Sequence, residues 1–274
     1  MQPYLIFSDL DGTMLDHDTY SFAPCLCILQ ELRRKKIPLI LNSSKTVGEI
    51  QEIRNALHNN DPFVVENGAA IFIPGGIFDD YRQPLNKIDL STDYKDIVRI
   101  LSDLKNRFDF PFVGFSDLDI DDIEKLTGLD SHAATLAKQR TGSEPLLWHG
   151  TKNDLEVFKK MLFEQRLKLL RGGRFFHVQG VEADKAHAMQ RLIHLYQKAY
   201  RIDFTSLALG DSQNDRQMLE QADWAGVVRS ASGTWLALNK ADQKTVYTRQ
   251  RAPEGWREAV EALFNKIDRG NNHE

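Results

Sequence analysis

The run FSDLDGTMLD, residues 7–16, sets Asp9, Asp11 and Asp16 directly behind the apolar segment Tyr4–Phe7. Apolar residues that stop at a turn read as a buried strand, and Gly12 lets the backbone turn sharply where that strand ends. Like charges this close repel one another, so the pair Asp9 and Asp11 adds nothing to stability. Alternate residues of an extended chain face the same way, so these two carboxylates can address one atom from adjacent positions. The stretch therefore predicts a strand whose carboxyl end carries chemistry.

Outward from it, strands and helices alternate. A helix is predicted over Ala23–Lys36, with Leu26, Leu29 and Leu32 on or near one face, followed by the wholly apolar Ile37–Leu41. A strand apolar throughout is expected where a parallel sheet is covered on both faces. Thr46-Val47-Gly48-Glu49 has the capping-box spacing and opens a helix carrying Ile50, Ile53 and Leu57. Pro62–Val65 and Ala69–Ile73 read as strands joined by Glu66-Asn67-Gly68. The pattern returns late in the chain: a helix over Asp184–Tyr200, a strand at Ser206–Leu209, a helix near Gln213–Ala222, a strand at Ala225–Val228, and a helix from Glu254 to Ile267 behind Pro253. Between the two blocks, residues 84–178 have their own helices and strands, more structure than a loop holds. The expected fold is α/β, a Rossmann-like parallel-sheet core built from residues 1–83 and 179–274, with a smaller α/β domain inserted at 84–178.

Composition narrows the function classes. With 42% hydrophobic and 27% charged residues the chain reads as an ordinary soluble globular protein. No apolar run approaches the roughly 20 residues that span a bilayer, and the N-terminus lacks the pattern of a secretory signal, so no membrane partner and a cytoplasmic location are expected. A formal net charge of −4 argues against nonspecific nucleic-acid binding and leaves a small anionic ligand open. Cys25 and Cys27 are too few for a structural zinc site and are expected as buried structural thiols. Asp117–Asp121 imitates a calcium loop, but Asp122 and Gly128 occupy the positions that need Gly and Glu, which leaves a helix start.

Ligands of an open parallel sheet gather outside the carboxyl ends of its strands. Four polar clusters fall there: Asp9 with Asp11, Ser43-Ser44-Lys45, Lys185 opening a helix, and Gly210-Asp211-Ser212-Gln213-Asn214-Asp215. Carboxylates meeting in one crevice need a cation, and hard oxygen donors suit Mg²⁺. Asp9 and Asp211 are expected to bind it through side chains and Asp11 through its carbonyl, which frees the Asp11 side chain to move protons. A nucleophilic carboxylate beside a metal and a proton-transferring one points to phosphoryl transfer through an aspartyl-phosphate, with Ser43 and Lys185 holding the phosphoryl oxygens.

These four motifs, in this order from residue 9 to 215, resemble the signature of the haloacid dehalogenase-like phosphatases. The resemblance implies Asp9 as nucleophile, Asp11 as general acid and base, Ser43 and Lys185 as phosphate contacts, and Asp211 as metal ligand, with Asn214 and Asp215 supporting the metal and Lys185. It also implies that the inserted domain is a cap that closes over the sheet and selects the substrate. Ser43-Ser44-Lys45-Thr46, Glu66-Asn67-Gly68-Ala69, Arg140-Thr141-Gly142-Ser143-Glu144-Pro145, Gly172-Gly173-Arg174-Phe175-Phe176-His177, Ala183-Asp184-Lys185 and Pro253-Glu254-Gly255-Trp256 are similar to the mannosyl-3-phosphoglycerate phosphatase branch, though Glu66-Asn67-Gly68 recurs across related sugar phosphatases and adds little. On that resemblance the substrate is mannosyl-3-phosphoglycerate, a small sugar phosphate. Ser44 joins its binding site, Lys45, Arg140 and Arg174 meet its carboxylate or phosphate oxygens, and Ser143, Glu144 and His177 its hydroxyls. Glucosyl-3-phosphoglycerate or another sugar phosphate, a phosphomannomutase-like transfer, and a noncatalytic metabolite-binding role are the alternatives.

Overall fold

A computed structural model describes residues 3–17, 19–171 and 175–271. In chain order, β1 (Tyr4–Ser8) leads to α1 (Leu26–Arg34), β2 (Leu39–Asn42), α2 (Val47–Leu57), β3 (Phe63–Val65), β4 (Ala70–Pro74) and β5 (Leu85–Asp89). The inserted unit runs α3 (Tyr94–Phe108), β6 (Phe112–Gly114), α4 (Ile120–Thr127), α5 (Ser131–Lys138), β7 (Ser143–Trp148), α6 (Lys152–Glu164), β8 (Leu167–Arg171) and β9 (Phe176–Gly180). The chain then returns through α7 (Lys185–Tyr200), β10 (Thr205–Gly210), α8 (Arg216–Gln221), β11 (Trp224–Arg229), β12 (Thr245–Arg251) and α9 (Glu254–Asn271).

The core is an eight-stranded sheet ordered β12-β11-β10-β1-β2-β3-β4-β5. Pairing is parallel from β12 to β3, and β4 and β5 complete the sheet antiparallel. Strand alternation sorts the side chains into two layers. Tyr4 and Ile6 of β1 pack with Ile28, Leu29 and Leu32 of α1, Ile50 of α2 and Trp256 of α9. Leu5 and Phe7 pack on the other face with Met189 and Leu192 of α7 and Met218 and Leu219 of α8. The expected capping box of α2 forms in full: Thr46 Oγ1 accepts from the Glu49 amide at 3.3 Å, and Glu49 Oε2 accepts from the Thr46 amide at 2.8 Å.

The cap is an antiparallel sheet ordered β6-β7-β9-β8. Its own core centres on Phe112, Leu146, Phe158, Leu162 and Val178, with Trp148 stacked on Phe158 at a ring-centroid distance of 5.1 Å. Helix α5 rests on α2 of the core: Thr46 Oγ1 donates to the Leu136 carbonyl at 2.9 Å, and His132 Nε2 lies 2.5 Å from Glu52 Oε1.

Three expectations need adjustment. Residues 85–89 fall within the expected insertion, yet β5 pairs with β4 in the large sheet, and β9 carries the cap sheet to Gly180, two residues past the expected border at 178. Strands β5 and β12 lie at the two edges of the large sheet, where half-exposed polar residues mask the strand pattern. Cys25 is buried but Cys27 is exposed, because residues two apart on a helix point in different directions. Among the described residues no helix is long and apolar enough to cross a membrane.

Candidate active site

Strand β1 lies between β2 and β10, with Ser8 level with Leu41 on one side and Leu209 on the other. The carboxyl ends of these three strands therefore open onto one cleft. The Asp9 amide donates to the Leu209 carbonyl at 3.0 Å, which holds the start of the DLDGT loop to the sheet. Behind it, Trp256 Nε1 donates to Ser8 Oγ at 2.9 Å, and Ser8 Oγ donates to the Asp9 carbonyl at 2.7 Å. The late Trp256 thus props the backbone of the first catalytic candidate.

Lys185 is a buried cation, 1% exposed. It opens α7, whose N-cap Asp184 accepts from the Ala186 amide at 2.7 Å. Its Nζ donates to Asp9 Oδ1 at 2.6 Å and to Asp215 Oδ1 at 2.7 Å. The second oxygen of Asp215 accepts from the amides of Asp211 and Ser212 at 3.2 and 3.1 Å, which shapes the GDSQND loop. Thr13 Oγ1 donates to Asp211 Oδ1 at 3.1 Å. Gly12 has φ +75°, and a Cβ there would sit 2.9 Å from Asp211 Oδ2. Only glycine lets the two loops approach this closely.

Asp9, Asp211 and Asp215 each bring a carboxylate oxygen within 4.8 Å of the other two. Burial first, then the neighbouring Asp215, pushes Asp9 up to about 7, with Lys185 pulling the other way. Burial, Asp215 and Asp9 push Asp211 up to about 8. Burial works against the charge on Lys185, but Asp215 and Asp9 outweigh it and hold its pKa above the ordinary value. With Asp11, the site gathers four carboxyl groups against the ammonium groups of Lys185 and Lys45; fully ionised it would be two positive charges short, a deficit that protons on Asp9 and Asp211 relieve when no cation is bound. Hard oxygen donors short of two positive charges fit a divalent cation such as Mg²⁺. Asp9, Asp211 and Asp215 are the carboxylates that could hold such an ion. Asp215 is already committed to Lys185 and two amides, and Asn214 donates from Nδ2 to Asn67 Oδ1 at 3.0 Å.

A cavity of about 650 Å³ covers this cluster. Asp9, Asp11, Ser44, Asp211 and Asn214 line it from the core, and His177 from the cap. Lys45 Nζ pairs with Asp11 Oδ1 at 3.1 Å and lies 4.9 Å from the Tyr20 ring centroid. Burial works against the charge on Lys45, yet Asp11 and Glu49 together hold its pKa above the ordinary value. Ser43 is fully buried beside the cleft, and its carbonyl accepts from the Asn67 amide at 2.9 Å. Burial, then the charge of Arg140, lowers His177 to about 3, so the ring is neutral at ordinary pH. Its Nδ1 has no partner among the described residues.

The expected sugar contacts Ser143 and Glu144 lie elsewhere. They begin β7, an interior strand of the cap sheet, and both are buried. Ser143 Oγ donates to Glu66 Oε2 at 2.7 Å, while the Glu144 carboxylate accepts from the Ser116 amide and hydroxyl at 2.7 Å each and from the Tyr94 hydroxyl at 2.9 Å. Burying a carboxylate is tolerable only with such donors, and these bonds fix both side chains away from the cleft. Arg140 is likewise turned to backbone, donating from Nη1 to the Ser44 carbonyl at 3.0 Å and from Nε to the Ala137 carbonyl at 2.9 Å. Arg174 falls outside the described residues. The cleft also recruits Asn67 of the β3–β4 turn and Gln213 of the fourth cluster, neither given a role in the sequence, together with Arg171, Ser230 and Ser232, which the sequence did not single out. The small polar run Ser230–Thr234 directly behind β11 is the strand-end signal that would have found the last two.

Residues 6–249 match the haloacid dehalogenase-like hydrolase family. A Persephonella marina protein named glucosyl-3-phosphoglycerate/mannosyl-3-phosphoglycerate phosphatase is 32% identical over 271 residues, covering 97% of this chain and 99% of its own. A Methanococcoides burtonii protein of the same name is 34% identical over 274 residues, covering 96% and 98%. A crystal structure of a Thermoplasma acidophilum protein shares the fold with a TM-score of 0.66 at 16% identity, covering 96% of this chain and 99% of that one. The chain belongs to the haloacid dehalogenase-like hydrolase family and is a phosphatase of that family.

Proposed function

We propose that the enzyme is a Mg²⁺-dependent phosphatase that hydrolyses mannosyl-3-phosphoglycerate, with glucosyl-3-phosphoglycerate as the alternative substrate, to the glycosylglycerate and phosphate. The observation that carries the chemistry is Lys185, buried and shared between Asp9 and Asp215 beneath the cleft, with Asp11 at the cleft edge. The substrate assignment is supported by the two relatives that bear both substrates in their name.

In this reading an Asp9 oxygen attacks phosphorus and the bond to the glycerate oxygen breaks. That oxygen takes the proton carried by Asp11. Asp11 then removes a proton from water, whose oxygen attacks the phosphorus of the aspartyl-phosphate, and cleavage of the bond to Asp9 restores its carboxylate. Ser43, Ser44 and Lys185 hold the phosphoryl oxygens and balance their charge. Mg²⁺, which Asp9, Asp211 and the Asp11 carbonyl would hold, would supply the positive charge that these carboxylates and the phosphate lack. Lys45 offers an ammonium to the glycerate carboxylate, and the neutral ring of His177 offers a hydrogen bond to the sugar from the cap.

The test is phosphate release, with and without Mg²⁺, from mannosyl-3-phosphoglycerate, glucosyl-3-phosphoglycerate, sucrose 6-phosphate and mannose 6-phosphate. The substrate reading is wrong if the two phosphoglycerate esters show no higher kcat/KM than the simple sugar phosphates. Release that survives Asp9→Asn removes the mechanism.

A further inference from the structure

The turn Glu66-Asn67-Gly68 joins β3 to β4 with all three residues in the left-handed region, at φ 51°, 56° and 94°. Residues carrying a Cβ adopt that region reluctantly, so two in succession need strong local support. Gly68 has no substitute, since a Cβ there would lie 2.3 Å from the Asp184 carbonyl. The backbone of the turn is tied to the phosphate side of the cleft: the Glu66 amide donates to the Lys45 carbonyl at 3.0 Å, and the Asn67 amide to the Ser43 carbonyl at 2.9 Å. Asn67 Oδ1 accepts from Asn214 Nδ2 in the acidic loop at 3.0 Å. One turn thus touches Ser43, Lys45, Asn214 and the residue before Lys185.

The Glu66 side chain points out of this hub into the cap. It is fully buried, and its two oxygens accept four hydrogen bonds. The Thr141 amide and hydroxyl donate to Oε1 at 2.8 Å each, and the Gly142 amide and Ser143 hydroxyl donate to Oε2 at 3.2 and 2.7 Å. Those three residues lead into β7, which pairs with β9 so that Pro145 faces His177 on the cleft wall.

We infer that Glu66 is a positioning residue that seats the cap on the turn organising the phosphate and metal loops, and so fixes the cap wall of the cleft over Asp9. Its effect falls on substrates large enough to meet the cap. The inference rests on the reading above, in which the glycosyl part of the substrate lies against the cap.

Glu66→Gln keeps the shape of the side chain but replaces one acceptor oxygen with an NH₂ group. In either amide orientation that group faces a backbone N–H, of Thr141 or of Gly142, donor against donor. The kcat/KM for mannosyl-3-phosphoglycerate should fall about tenfold or more, while turnover of p-nitrophenyl phosphate stays within about twofold. Thr141→Val/Ser143→Ala attacks the contact from the cap side and should reproduce that split. Combined with Glu66→Gln it should add little, because all act through one contact. Equal losses on both substrates, or no loss on either, overturn the inference, and the cap-side variant decides alone if Glu66→Gln fails to fold. If the wild type ignores both phosphoglycerate esters, the substrate reading fails separately. The same comparison then runs with whichever sugar phosphate it does hydrolyse.

Discussion

Chelating the metal and raising the pH should destabilise this enzyme, and added Mg²⁺ should reverse the effect most strongly at the alkaline end. In the unfolded chain Asp9 and Asp211 ionise around the ordinary value of 3.8, whereas in the metal-free fold they hold their protons to about 7 and about 8. Between those limits the folded state binds more protons than the unfolded one, so stability falls as pH rises. For Asp9 alone, the rise from 3.8 to about 7 is roughly three powers of ten in proton affinity, or about 4 kcal/mol. Asp211 repels Asp9, so its contribution is not independent. In a chain of this length about 1 kcal/mol moves Tm by about 2–4 °C, which gives a fall on the order of 10 °C between about pH 4 and pH 8. Mg²⁺ competes with those protons for the same oxygens, so its stabilising increment should grow with pH. Calorimetry at several pH values, in EDTA and in Mg²⁺, measures both slopes. Asp211→Asn, which removes one titration and one repulsion, should flatten the slope in EDTA. A Tm in EDTA that rises towards pH 8, or a Mg²⁺ increment that shrinks with pH, refutes the reasoning.

Lys185→Met should abolish phosphate release and cost about 3–5 kcal/mol in urea unfolding, because Asp9 and Asp215 would remain buried without their shared cation. A loss below about 1 kcal/mol would mean that water reaches the pair. Gly12→Ala places a Cβ against Asp211 Oδ2 in a left-handed backbone. It should cost roughly 1–2 kcal/mol and weaken Mg²⁺ binding in titration calorimetry, whereas unchanged binding would free the metal site from that close approach. Trp256→Phe removes the donor to Ser8 Oγ and leaves a small void. It should cost roughly 2 kcal/mol and lower kcat more than KM, and a pure KM effect would argue against a prop on Asp9.

Much of the site is legible because its residues stand where strand patterns stop. Asp9, Asp211 and Ser44 follow wholly buried strands, and Lys185 follows a helix cap, so short local windows contain their signals. Ser143 and Glu144 mislead because the resemblance fixes only that a polar pair stands there, not which way its side chains turn. Whether such residues face a ligand or another segment depends on a partner elsewhere in the chain. Here the partner of Ser143 is Glu66, and Glu144 is held by Tyr94 and Ser116. Trp256 supports Ser8 across 248 residues, a pairing that no local periodicity announces. The edge strands β5 and β12 escaped for the opposite reason: they are paired on one side only, so their residues need not be apolar.

The placement of β1 between β2 and β10 also bears on how the molecule is made. The strand that leads into Asp9 is synthesised well before one of its two neighbours, which is not available until residue 205 has been made. The cap sheet, by contrast, is complete by residue 180 and draws its strands from a continuous stretch of chain. Contacts remote in sequence close slowly, and chain segments tend to fold as units as they emerge. The inserted sheet is therefore free to fold during translation before the larger sheet is complete, and β1 waits with one edge open until β10 arrives.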